Sequence, residues 1–136
     1  TVLHANGFEL IDDKKSRLIE SIKTLLIQSV HQQQHETQAL NTSAYLSQKL
    51  GYDYSYLSHL FSSVEGLTIE KYIIHQKVER AKEVLVYDEL TLSEIADQLG
   101  YSSVQHLSSQ FKKVSGLTPS HFKKLKHPKR TPLDEV

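Results

Sequence analysis

Four lysines stand in two adjacent pairs, Lys112-Lys113 and Lys123-Lys124, and each pair follows a phenylalanine. Paired ammonium groups attract phosphate, and Thr118 and Ser120, close to a helix start, can add hydrogen bonds to the same oxygens. The surrounding stretch, Leu99 to Leu133, holds seven Lys/Arg and no Asp or Glu. The whole chain has net charge zero, but a local field steers a polyanion more than the sum does. A solvated basic tail is the competing account of these charges, and any single lysine can be an idle surface charge. Two further groups are polar, small and uncharged: Ser55, Ser58 and His59, and later Gln105, His106, Ser108 and Ser109. These side chains donate and accept hydrogen bonds.

Other chemistries find less support. The chain shows no nucleophile elbow, Gly-rich phosphate loop or zincin His-Glu motif. Ser120 and His121 are neighbours in sequence, which is not triad geometry, so the chain reads as no enzyme and calls for no cofactor. There is no Cys, which excludes disulfides and thiolate metal sites. His31 and His35 are four apart and could share a helix face, yet a zinc or nickel ion needs a third ligand such as Glu36. A solvated His pair is the plainer reading, and no metal site is assigned. No apolar run approaches the roughly 20 residues of a membrane span, and no signal peptide is visible.

The scaffold for these groups reads as helices. All three Pro fall after position 118, and alternation of β-branched residues is nearly absent. Leu18, Ile19, Ile22, Leu25, Leu26 and Val30 lie three and four apart, on one face of a long helix. The run Gln32–Thr37 ends it. A short helix follows, with Thr42 or Ser43 as cap, Leu46 inward and Gly51 closing it. Asp53 caps the next, with Tyr56, Leu57, Leu60, Phe61 and Val64 inward and Gly66 at its end. Thr68 starts a long helix to about Tyr87. Thr91 or Ser93 caps a helix carrying Ile95, Ala96 and Leu99. Ser102 or Ser103 caps one with Val104, Leu107, Phe111 and Val114 inward. Thr118-Pro119 opens a last short helix that carries Phe122 and Leu125. Gly7–Ile11 reads as a short strand end.

The pattern occurs twice. Leu50-Gly51-Tyr52 is answered by Leu99-Gly100-Tyr101, Phe61 by Phe111, Gly66-Leu67-Thr68 by Gly116-Leu117-Thr118, and Tyr72 by Phe122. The offset is 50 from the phenylalanines onward and 49 at the Leu-Gly-Tyr triplets, so the second copy holds one extra residue in its turn. That residue leaves the register of Val104 open by one position. Two helices across a Gly-bearing turn describe a helix-turn-helix. The expected fold is all-α: two helix-turn-helix subdomains joined by a long linker helix and preceded by a further long N-terminal helix. The boundaries are 1–12 for an N-terminal stub, 13–67 for the first subdomain with its leading helix, 68–87 for the linker, 88–126 for the second subdomain and 127–136 for a disordered tail.

From Ile95-Ala96 through Leu99-Gly100-Tyr101, Phe111-Lys112-Lys113, Gly116-Leu117-Thr118-Pro119 and Phe122-Lys123, the chain resembles the C-terminal domain of the AraC/XylS transcription regulators. The likeness covers about residues 40–126. It implies sequence-specific binding of double-stranded DNA, with two recognition helices in successive major grooves about 34 Å apart. It also implies base contacts from the positions of Ser55, Ser58 and His59. The outward face of the second helix offers Gln105, His106, Ser108 and Ser109, of which Gln105 can pair with adenine in two bonds. Lys112, Lys113, Lys123 and Lys124, with Thr118 and Ser120, are the expected phosphate contacts. The N-terminal stretch resembles a Bacteroidetes-type subgroup in which a small heavy-metal-associated-like domain precedes the DNA-binding part, and Gly7–Ile11 would then be the end of that domain. RNA polymerase is an implied partner, as is a second copy through the N-terminal helix or a missing N-terminal domain, all in the cytoplasm. One departure stands out. Family recognition helices often carry Arg, and neither helix here does; between Leu50 and Glu70 there is no Lys or Arg at all.

Overall fold

The computed structural model describes residues 2–31, 42–87 and 90–126, with side chains from Asp13 onward. Seven helices follow one another among these residues: α1 Val2–His31, α2 Thr42–Leu50, α3 Tyr54–Glu65, α4 Ile69–Tyr87, α5 Leu92–Gln98, α6 Val104–Ser115 and α7 Pro119–Lys126. No described residue is in a strand. The chain divides into two compact units, Thr1–Ile73 and Ile74–Val136, and the division falls inside α4.

In the first unit the expected stripe of α1 is inward. Ile19, Ile22 and Leu26 join Leu46 of α2, Leu57, Leu60 and Phe61 of α3, and Ile69 of α4 in one buried cluster. Each such side chain stabilises the fold by about 1.5–3 kcal/mol through removal from water. Phe61 meets Tyr72 edge-on, with ring centroids 5.4 Å apart. In the second unit Val78, Ala81 and Leu85 of α4, Ile95 and Ala96 of α5, Leu99 after it, and Leu107 and Phe111 of α6 are buried. Phe111 and Phe122 repeat the edge-on pair at 5.6 Å.

Three expectations are corrected. Gly7–Ile11 lies inside α1 as helix, not as a strand end. A lone strand has no ladder partner for its N–H and C=O groups, whereas a helix satisfies them internally. Tyr56 and Val64 were expected inward and are exposed. Tyr56 turns out to stack on Tyr52, while Val64 sits in the last turn of its helix. His35, Glu36 and the tail 127–136 lie outside the described residues.

Candidate nucleic-acid interface

Each unit builds its second helix between a fixed start and a fixed stop. α3 follows Asp53 and α6 follows Ser103, both with extended backbone. Both helices run 12 residues and end on a glycine in the left-handed region, Gly66 at φ 80° and Gly116 at φ 88°. There the glycine N–H donates to the carbonyl of Ser62 at 2.9 Å or Lys112 at 2.7 Å. A residue with a Cβ would be strained at that φ, so the stop is written in the glycine itself.

The starts differ. Ser103 Oγ accepts from the His106 N–H at 3.0 Å, a true side-chain cap. Asp53 stands at the equivalent place and makes no side-chain cap bond, contrary to expectation. Its carbonyl alone receives the Tyr56 and Leu57 N–H groups at 3.1 Å. Before α6, Thr91 and Glu94 form a reciprocal capping box at the head of α5, with bonds of 2.8 and 3.1 Å. α2 already includes Thr42 and Ser43, so neither stands outside it as a cap.

The caps also fix the register. Tyr54 answers Val104, and the extra residue is absorbed between Gly100 and Ser103. Ser55, Ser58 and His59 then correspond to Gln105, Ser108 and Ser109. In each helix these three lie three and four apart, on one stripe. Ser55, His59, Gln105 and Ser109 are exposed, and Ser58 and Ser108 are half-buried. Lys112 extends the second stripe by one turn, with exposed Lys113 beside it; Ser62 and Ser63 hold those places in α3.

His106 is set apart from the stripe. Its ring stands edge-on to Tyr101, centroids 5.0 Å apart, and its Nδ1 is 3.5 Å from Ser102 Oγ. Its counterpart Tyr56 stacks on Tyr52 at 5.3 Å. The extra residue separates the two tyrosines. Tyr52 is two residues ahead of its helix and 48% exposed, while Tyr101 is three ahead and 7% exposed. Tyr101 donates to Gln110 Oε1 at 2.6 Å and carries Lys77 Nζ 5.1 Å above its ring. Burial pushes the Tyr101 hydroxyl up to about 12 and lowers the Lys77 ammonium.

Of the expected phosphate ligands, Lys112, Lys113, Thr118, Ser120 and Lys124 are exposed and Lys123 is half-buried. Thr118 Oγ1 accepts from the His121 N–H at 3.1 Å and so caps α7, which leaves its own hydroxyl proton to donate. Lys126 Nζ, 5.5 Å from the centre of Phe122, adds a cation that the sequence reading left out. Glu65 and Glu70 of the first unit have partners there. Lys23 of α1 reaches Glu65 at 3.1 Å, which raises the Lys23 pKa. Tyr54 donates to Glu70 at 2.7 Å, and burial, first, and that carboxylate, second, push its hydroxyl upward.

Among the described residues no group of three His, Asp or Glu gathers as a metal site, and no helix is long and apolar enough to cross a membrane.

Two units, each with a 12-residue helix that ends on a left-handed glycine and carries an outward polar stripe, define a tandem helix-turn-helix protein. A family model described as "Helix-turn-helix domain" matches residues 46–125, and the chain belongs to that family. An HTH-type transcriptional regulator of Bacillus subtilis is 26% identical over 117 residues, 86% of this chain and 15% of that protein. The chain thus spans a small part of this relative. An AraC-type transcriptional regulator structure from Chromobacterium violaceum superposes with TM-score 0.73 at 18% identity, covering 86% of this chain and 98% of that one. The DNA-binding domain of AdpA, solved with a target DNA, gives TM-score 0.66 at 18% identity over 82% and 96% of the two chains. The fold is that of the AraC-type domains.

Proposed function

We propose that the chain binds double-stranded DNA in a sequence-dependent way and regulates transcription, each unit inserting its second helix into a major groove on successive turns. One observation carries this: the same glycine-stopped helix is built twice, and both copies turn the equivalent polar stripe outward. An α-helix fits the major groove, where such side chains meet base edges. The bound DNA in the AdpA structure supports the same reading. Ser55, Ser58, His59, Gln105, Ser108 and Ser109 read bases, with His106 acting from the edge of the stripe. Lys112, Lys113, Lys123, Lys124, Thr118 and Ser120 hold phosphates. In this reading the protein works in the cytoplasm without catalysis, alongside RNA polymerase, and self-associates through α1 or a preceding domain.

The test is selection from random duplex DNA at stated salt. Two half-sites about one helical turn apart, roughly 34 Å, are the expected result. A single short motif would show that one unit alone reads bases, and the absence of any enriched sequence would remove the reading.

A further inference from the structure

The first unit has no Lys or Arg on α3, and the structure shows where positive charge stands instead. A cleft of about 250 Å3 is lined by Lys14, Lys15 and Leu18 of α1 and by Tyr52 and Tyr56. Tyr52 belongs to the turn before α3 and Tyr56 to its first turn, next to Ser55. Both tyrosines are largely exposed, 48% and 44%, and their rings are stacked. Such exposure is unusual for a pair of aromatic rings at a helix start that has a core available on its other side.

The two lysines also stand out among the cations of α1. Arg17 is tied to Asp13 at 2.8 Å, and Lys23 to Glu65 and Glu20. Lys14 and Lys15 are exposed and make no ion pair with any described residue. The cleft therefore combines two ammonium groups, free of described carboxylates, with two phenol hydroxyls that can donate. That is the donor set of a phosphodiester, not of a neutral or cationic ligand. We propose that Lys14, Lys15, Tyr52 and Tyr56 form a phosphate-binding site of the first unit, which takes the DNA backbone flanking the bases faced by Ser55. This rests on the DNA-binding reading above. The leading helix thereby supplies the charge that α3 lacks.

The experiment uses the full chain and a duplex recovered by selection from random DNA. Affinity is followed across a salt series for the wild type, K14A/K15A, K14R/K15R and Y52F/Y56F, with helicity checked by circular dichroism. For K14A/K15A the slope of log K against log salt becomes shallower by about 1.8, because two counterion-releasing contacts are lost. K14R/K15R keeps the wild-type slope. Y52F/Y56F weakens binding about tenfold and leaves the slope unchanged. Phosphate ethylation interference on one flank of a single half-site disappears in K14A/K15A. An unchanged slope and an unchanged interference pattern in K14A/K15A, with the duplex still bound, overturn this site and leave the DNA reading standing. A wild type that binds no duplex overturns both.

Discussion

α3 and α6 share a length, a glycine stop, an aromatic partner from the following helix and a polar stripe, yet they differ in every charge that matters to a polyanion. Where α6 has Lys112 and Lys113, α3 has Ser62 and Ser63. Where α6 is capped by Ser103, α3 is preceded by Asp53, whose carboxylate caps nothing and places a negative charge at the start of the helix. Duplication has kept what packing demands, because a changed core residue or stop leaves a cavity or strain. It has left the outward face to diverge, because exposed polar substitutions cost little stability. The second unit carries exposed positive charge on its own helix-turn-helix, at Lys112 and Lys113. The first holds its acidic Glu65 and Glu70 against Lys23 and Tyr54, which removes part of the repulsion without adding attraction.

The largest test of this inequality is on affinity. K112A/K113A should weaken duplex binding about 100-fold, from two lost charge-assisted contacts, while His59→Ala should cost about fivefold, one neutral hydrogen bond. Fluorescence anisotropy at fixed salt measures both. An equal or larger loss from His59→Ala would reverse the ranking of the two units.

Much of this asymmetry is legible in the sequence alone. Charge is a property of composition, and the internal repeat aligned α3 with α6 through Phe61 and Phe111. The buried stripe of α1 and the glycine stops followed from spacing and from the φ that only glycine takes easily. Other features were not legible, for identifiable reasons. The partnerships of Lys23 with Glu65 and of Tyr54 with Glu70 join residues far apart in sequence, and no periodicity encodes them. Tyr56 falls at an inward spacing in α3, but Tyr52 offers it a ring to stack on outside the core. The one-residue insertion left Val104 ambiguous until the Ser103 cap set where α6 begins. Asp53 is an acceptable cap by residue type, and only geometry shows that its side chain is unused.

A middle-sized effect separates the two helix starts by stability. Ser103→Ala should cost about 1 kcal/mol in urea unfolding, the ordinary loss of a side-chain cap. Asp53→Ala should cost less than about 0.5 kcal/mol, since only a weak exposed interaction with the helix dipole goes with it. Equal losses would mean that Asp53 caps α3 in solution and that the starts are alike.

The smallest effect concerns the tyrosines of the two turns. Burial raises the Tyr101 hydroxyl from its ordinary 10 to about 12, so the folded state holds that proton more tightly than the unfolded state. The stability it contributes is therefore complete below pH 10 and is lost as the pH climbs from 10 to about 12. Lys77, over the same ring, has its pKa lowered by burial, so its contribution runs the other way: the cost of burying the ammonium is relieved as it deprotonates. Tyr54 and Tyr72 of the first unit are raised by burial and add to the alkaline loss. Tyr101→Phe isolates one residue from this sum. It should lower stability by about 1 kcal/mol at neutral pH, through loss of the bond to Gln110. The difference from wild type should then narrow steadily above pH 10, as the wild type loses what the variant never had. Urea midpoints measured across that range decide the matter: two parallel curves would mean that Tyr101 ionises as freely as a surface tyrosine, and the burial that distinguishes its turn from that of Tyr52 would be lost as a difference between the units.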